Sequence, residues 1–362
     1  MAFSLKNLTN LLQVALQHNA SDIHLRTEEM PCLRIRGDLI PIQTRQFSKE
    51  DMLDIAKILF NNDEIFARIG QINEMDGGFG ITDLCRMRYN FFRYSNRIGI
   101  VLRIIKTKIP NVDELGIPTL IDKIADCPRG LVLVTGATGS GKSTTLAAMI
   151  HHINISRPCH IVTIEDPIEY VHTQIKSRIS QREVGLDTID FPIALRSALR
   201  QDPDVILIGE MRDTETISTA LKAAETGHTV FSTVHTTDAI TTIGRIISMF
   251  PSSEQEEVRK RLAENLYATI GQRLLSSTKK NGLCVAMEIM INGVGVKECI
   301  TGKENINRIP EIIAEGRGKG GNGSQTFDQH LMDLFESGLI TKETALEAAT
   351  SQSNFLQKLL VY

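Results

Sequence analysis

The chain has 362 residues, enough for two domains at ~100–200 residues each. Apolar residues make up 42% and charged residues 23%, which is a globular composition and excludes disordered and fibrous classes. Forty Lys and Arg against 43 Asp and Glu give a net charge of −3, which offers no sequence-wide basic footprint for nucleic acid but leaves room for a local patch, and aromatics at only 5% with no Trp weaken a base-stacking reading.

The first hundred residues read as a small mixed α/β unit. Leu5, Leu8, Leu11, Leu12, Ala15 and Leu16 share one helical face behind a capping Ser4. Strand-like runs follow at Cys32–Arg36 and Leu39–Ile42, divided by Gly37 and Asp38. Ser48 and Asp51 mark a helix start, with Met52, Ile55, Ala56 and Leu59 as its apolar stripe. Arg86–Phe92 and Ile98–Ile105 are strand candidates around Ser95 and Asn96. Lys106–Pro118 has two prolines and little periodicity and is read as an interdomain linker, dividing the chain into 1–105 and 119–362.

Beyond it, short β-rich runs (Leu131–Thr135, Ile161–Ile164, Val205–Ile208, Thr229–Val234) alternate with helical segments. That alternation predicts a parallel sheet covered by helices on both faces. Asp213 caps an expected helix with Ile217, Ala220, Leu221 and Ala224, stopped at Gly227. Ser253 and Glu256 form a capping-box pattern, and Val258, Leu262, Leu266, Ile270 and Leu274 extend it as one helical stripe. Five glycines in Gly316–Gly323 predict a mobile loop, and two short helices are expected to close the chain. The six cysteines are scattered with no C-x-x-C pair, so neither a zinc site nor a disulfide framework is indicated. No signal-peptide layout and no apolar run of ~20 residues is found, and a cytoplasmic location is expected.

Gly136-Ala-Thr-Gly-Ser-Gly-Lys-Ser fits G-x-x-x-x-G-K-[ST], with a buried-strand run before it and a helical run after it. Such a loop aims backbone N–H groups and a helix N-terminus at phosphate oxygens. Gly136, Thr138, Gly139, Ser140, Gly141, Lys142, Ser143 and Thr144 are therefore candidate nucleotide-binding residues. Lys142 is expected on the β- and γ-phosphates of ATP and Ser143 on Mg²⁺.

A phosphate-binding loop needs an acidic partner at a neighbouring strand end, and Val205-Ile-Leu-Ile-Gly-Glu supplies Glu210, with Gly209 where Asp is commoner. Glu210 is read as orienting the attacking water, assisting Mg²⁺ through water, or both. Glu165, Asp166 and Glu169 follow another strand run and suit metal or water positioning, though an exposed turn would look similar. His228 and His235 flank a strand, where a γ-phosphate-sensing role competes with a structural one.

In order and wording these segments resemble the type IV pilus retraction ATPases of the secretion-ATPase superfamily. The resemblance rests on Ala20-Ser-Asp-Ile-His-Leu, Leu33-Arg-Ile-Arg-Gly-Asp, the run Arg129–Ala148, Thr163–Tyr170, Ala194–Asp213 and Thr226–Thr237. It implies an N-terminal PAS-like α+β domain followed by a RecA-like P-loop ATPase domain. Glu210 and Glu169 become the leading water-activating or metal-site carboxylates, with Glu165 and Asp166 beside them. His228 and His235 link the nucleotide site to conformational change, and Arg88 and Arg103 contribute arginines from the N-terminal domain. It further implies a homo-hexamer that drives pilus retraction and twitching motility. Its expected partners are an inner-membrane platform protein and related ATPases, with membrane contact only through partners and no direct nucleic acid. The four-cysteine module of assembly motors is missing, which favours the retraction branch. Val296-Lys-Glu-Cys-Ile-Thr-Gly-Lys replaces that branch's usual A-I-R-N-L-I-R-E-G-K element, so an accessory, secretion or DNA-uptake ATPase stays open. A nucleotide-gated regulatory subunit is the reading from another class, and Lys142, Glu169 and Glu210 argue against it.

Overall fold

The computed structural model describes residues 3–361, apart from positions 36, 82–83, 106–107, 280–281 and 319 and the side chains of 358, 360 and 361. Arg36, Lys106, Thr107 and Lys319, which fall in segments discussed above, lie outside the described residues. The chain divides into two compact units, Met1–Lys108 with Glu169–Val171, and Ile109–Ile168 with His172–Tyr362.

The first unit is built on an antiparallel sheet of β1 (Asp22–Arg26), β2 (Cys32–Ile35), β3 (Asp38–Pro41), β4 (Glu74–Ile81), β5 (Cys85–Tyr94) and β6 (Arg97–Ile105). Their spatial order is β3-β2-β1-β6-β5-β4. Period-two alternation sorts β5 into a buried face of Cys85, Met87, Tyr89 and Phe91 and an opposite face of Arg86, Arg88 and Asn90. The buried face is covered by helices Leu5–Gln17 and Lys49–Phe60, whose Leu8, Leu12, Met52, Ile55 and Leu59 join the same core. Both helices start where the sequence places them, with Ser4 and Ser48 as capping-box residues.

The second unit carries β7 (Gly130–Thr135), β8 (His160–Glu165), β9 (Arg178–Glu183), β10 (Val205–Ile208), β11 (Thr229–Val234), β12 (Leu266–Ser276) and β13 (Leu283–Ile291). Their order is β13-β12-β7-β11-β10-β8-β9. All pairs are parallel except β12 with β13. Every residue of β7, β10 and β11 is buried, as expected for strands covered on both faces. The helix Thr214–Glu225 starts at Asp213, whose side chain accepts from the Thr216 N–H. All six cysteines are free thiols.

The structure adds to or departs from four expectations. The helix Gln255–Asn265 ends where β12 begins, and its N-cap is Glu254 without a side-chain cap. A four-residue spacing is even, so Ile270 and Leu274 also share one face of a strand, and the periodicity could not tell the two apart; a bulge between Leu266 and Ala268 turns Leu266 to the other face. Segment 106–118 holds a short helix, Val112–Leu115, capped by Asn111, and Val112 and Ile117 are buried in the second unit's core. Within the glycine-rich segment the Gly323 N–H donates to Gly316 O and the Gly318 N–H to Glu315 O. Three helices rather than two end the chain: Phe327–Glu336, Lys342–Ala348 and Gln352–Val361.

Asp51 is the polar anchor of the first unit. Its carboxylate accepts from the two terminal guanidinium nitrogens of Arg45, at 2.5 and 2.7 Å, and from the Ser48 N–H at 2.8 Å. The Arg45 hydrogen bonds hold its carboxyl well below the usual range, at about 2, against the opposing push of burial. A depressed carboxyl stabilises the fold above its unfolded pKa near ~4, and that contribution is lost as pH falls towards 2. Asp51→Ala is expected to cost about 1–2 kcal/mol at pH 7 by urea unfolding, and the gap to wild type should narrow at pH 3.

Candidate functional site

The site grows from one edge of the second sheet. Because β7, β11, β10 and β8 are adjacent and parallel, their carboxyl ends emerge side by side, about 4.8 Å apart per strand. The phosphate-binding loop follows β7, His235 follows β11, Gly209–Glu210 follows β10, and Glu165–Asp166 closes β8. Ligands in open α/β sheets bind at this edge.

The loop after β7 has the backbone its glycines permit, with φ of +143° at Gly136, +82° at Gly139 and +92° at Gly141. Gly136 also has no room for a side chain: a Cβ there would stand 2.5 Å from Ser140 Oγ and 2.6 Å from Gln272 O. Gly141 then opens the helix Lys142–Ser156 with no side-chain cap and no acidic residue in its first turn. Its first N–H groups and the helix dipole are thereby left to an anion. Lys142 is buried, and its ammonium donates to Gly136 O at 2.9 Å and Ala137 O at 3.0 Å, so it lies along the loop. Ser140 Oγ and Thr135 Oγ1 are buried with no hydrogen-bond partner among the described residues.

A cavity of about 420 Å³ opens over this loop, lined by residues 136–140 and by Thr237, Gln272, Arg273 and Leu274. The last three belong to β12, which sequence reasoning assigned to a helix and therefore missed. Gln272 Nε2 donates to Thr145 Oγ1 at 2.6 Å, tying β12 to the helix after the loop. Arg273 stacks on the Phe327 ring, 3.8 Å from its centroid, and burial holds its pKa below the usual arginine value. The legible signal was the polar pair Gln272–Arg273 interrupting an apolar run.

Glu210 is largely buried, at 12% side-chain exposure, and pairs with Arg212 Nε and, at 3.4 Å, with His235 Nε2. A Cβ at Gly209 would lie 3.3 Å from Ile164 O and 3.4 Å from Glu165 Cα. Glu165 Oε1 accepts from Thr163 Oγ1 at 2.7 Å and Gln181 Nε2 at 3.2 Å, whereas Asp166 is exposed. The structure therefore brings the loop, Glu165, Glu210 and His235 to one edge.

It does not bring His228 there. His228 precedes β11 at the opposite edge, a strand length of ~20 Å from His235 at ~3.3 Å per residue. Its Nδ1 lies 2.9 Å from Ala223 O and 3.1 Å from Thr226 Oγ1, so it fastens the end of helix Thr214–Glu225. Of the two histidines expected to link the nucleotide site to conformational change, His235 stands at the site edge and His228 at the other end of β11. Glu169 is exposed and groups with the first unit, as do Arg88 and Arg103. Those arginines sit directly opposite each other on β5 and β6. Arg103 Nε donates to Asp22 Oδ1 at 2.8 Å. Burial pushes the Asp22 carboxyl up, but hydrogen bonds from Ser21 and Arg103 outweigh it and hold it below the usual range.

The donor chemistry fits a nucleotide: a cradle closed to side chains, uncapped helical N–H groups, a lysine and a buried unpaired hydroxyl. It fits Mg²⁺ as a companion of the phosphates. Ser143 and Glu210 offer hard oxygens, while no group of three or more His, Cys, Asp or Glu able to hold a metal occurs among the described residues.

Comparison with known proteins agrees with this chemistry. A family model described as "Type II/IV secretion system protein" matches residues 2–326. The chain is 42% identical over 349 residues to the type IV pilus retraction ATPase PilT of Pseudomonas aeruginosa, covering 96% of this chain and 100% of that protein. It is 45% identical over 326 residues to a twitching motility protein of Neisseria gonorrhoeae, covering 90% of this chain and 85% of the relative. A crystal structure of the pilus retraction motor PilT with bound ADP superposes with a TM-score of 0.86 at 39% identity, covering 97% of this chain and 99% of that one. The chain belongs to the type II/IV secretion system protein family and is an ATPase of that family.

Gly136→Ala is expected to weaken binding of a fluorescent ATP analogue at least about tenfold, because both the φ and the space at that position exclude a side chain. Lys142→Ala should do the same. Unchanged affinity in both variants would contradict the placement of the nucleotide.

Proposed function

We propose that this chain is the ATP-hydrolysing retraction motor of a type IV pilus, driving twitching motility as a homo-hexamer. The observation that carries this reading is the shared edge of the second sheet, where the phosphate-binding loop, Glu210, His235 and Glu165 meet on a chain that is 42% identical to PilT along nearly its whole length. In this reading the first unit is a PAS-like domain and the second a RecA-like motor domain. It works in the cytoplasm and reaches the inner membrane only through a platform protein, in keeping with the lack of any membrane-crossing helix among the described residues.

Hydrolysis forms a bond from a water oxygen to the γ-phosphorus and breaks the bond to the β–γ bridging oxygen. The chain's part is positioning and charge. Loop N–H groups and Lys142 hold the phosphates, and Ser143 and Glu210 would hold Mg²⁺, which would supply positive charge against the phosphates. Glu210, protected from bulk water, orients the attacking water and receives its proton, and His235 beside it senses the transferred group. Glu165, Asp166 and Glu169 are the further carboxylates proposed for this chemistry. Arg88 and Arg103 supply positive charge during turnover. His228 serves the fold that carries the site.

An accessory, PilU-like role is the second reading, favoured by one observation. The helix Val294–Thr301, closed by Gly302, carries Val296-Lys-Glu-Cys-Ile-Thr in place of the retraction branch's basic element.

Glu210→Gln should lower kcat about 100-fold or more while leaving nucleotide affinity within about threefold. Wild-type turnover should also rise with protein concentration as rings form. Robust turnover by a dilute monomer would contradict the ring.

A further inference from the structure

One buried carboxylate has no part in the chemistry above. Glu288 lies on β13, directly opposite Gly271 of β12, and is only 9% exposed. Its Oε1 accepts from the Ala239 N–H at 2.8 Å. Ala239 is the first residue of helix Ala239–Ser248, and its N–H is one of the donors a helix leaves unpaired at its start. The segment His235–Asp238 joins β11 to that helix. Thr237 lines the nucleotide cavity, and His235 lies 3.4 Å from Glu210.

We propose that Glu288 is a positioning residue for ATP turnover. By holding the Ala239 N–H, it fixes the far end of the segment that places Thr237 at the nucleotide and His235 against Glu210. The inference rests on the ATPase reading of the same site. The rest of the segment is fastened in the same sense. Asp238 accepts from the Thr241 N–H at 2.8 Å, Thr242 Oγ1 donates to Asp238 O at 2.6 Å, and Thr236 and Thr242 hydroxyls meet at 2.7 Å. Glu288 ties this segment to the β12–β13 pair by a hydrogen bond, and Arg273 of β12 adds an electrostatic pull on Asp238. On that pair Arg273, diagonal to Glu288, forms part of the cavity wall, so wall and segment share one support.

An apolar side chain would fill this space without the cost of burying a carboxyl group. Burial pushes the Glu288 carboxyl up to about 7, partly offset by the Ala239 N–H, with Asp238 and Asp328 raising it further and Arg273 lowering it. The hydrogen bond needs only an acceptor oxygen, which a neutral carboxyl or an amide also provides. A glutamine should therefore replace Glu288, and an alanine should not.

The test compares full-length wild type with E288A, E288Q, H235A, E210Q and the E288A/H235A double variant, measuring kcat and the affinity of a fluorescent ATP analogue. E288A should lose at least about tenfold in kcat with analogue affinity within about threefold, as misplacement without lost contact predicts. E288Q should stay within about threefold of wild type. E288A should add little to H235A, since both act through one segment. If E288A fails to fold, Ala239→Pro removes the donor at a helix position that accepts proline, after an Asp238 already extended at φ −160° and ψ 172°, and should show the same kcat loss. Fully active E288A, E288Q as impaired as E288A, or full additivity with H235A overturns the positioning role. Inactive wild type, or E210Q as active as wild type, instead overturns the ATPase reading on which it rests.

Discussion

Everything functional in this chain depends on the parallel alignment of β7, β11, β10 and β8. Parallel neighbours deliver their carboxyl ends to the same edge, so residues far apart in sequence become neighbours. The alignment is held by complete burial of β7, β10 and β11 between two apolar layers, one including Ile206, Leu221 and Ile243, the other Val132, Ile150 and Phe231. Side-chain hydrogen bonds then set the loop ends. Thr233 Oγ1 donates to Gly209 O at 2.6 Å, and Ser232 Oγ to Ile208 O at 2.8 Å, which locks the exit of β10 against β11 beside Glu210.

The parts of this architecture legible in sequence were those with a strong local pattern. The phosphate-binding loop is specified residue by residue, because only glycine meets its φ angles and its close approaches. The all-apolar runs of β7, β10 and β11 read as buried strands because burial on both faces leaves no alternation to confuse them. The capped helices read correctly because Ser48 and Asp213 have one local task each.

What could not be read depended on tertiary context. β12 was hidden because its apolar spacing of four fits a helix and a strand alike, and with it went Gln272, Arg273 and Leu274 of the cavity. β4 was hidden because Gly77, Gly78 and Gly80 weaken a strand signal. At Gly77 the reason is spatial, since a Cβ would lie 2.3 Å from the Tyr89 hydroxyl oxygen. The two histidines flanking β11 look equivalent in sequence, and only strand direction separates one at the site from one at the opposite edge. Glu288 carried no motif at all. It is one carboxylate in an apolar run, and its importance follows from the N–H it meets.

As a pilus retraction ATPase, this chain runs ordinary phosphate-loop hydrolysis, and its specificity lies in the machine it drives. Assembly and retraction use the same reaction, so the direction of work is decided in the cell. The most direct measurement is to delete the gene and count surface pili by electron microscopy, alongside twitching on agar, with wild-type and Glu210→Gln copies returned in parallel. The account predicts abundant pili without motility in the deletion, rescued by the wild-type copy and not by the variant. Bald cells would contradict it.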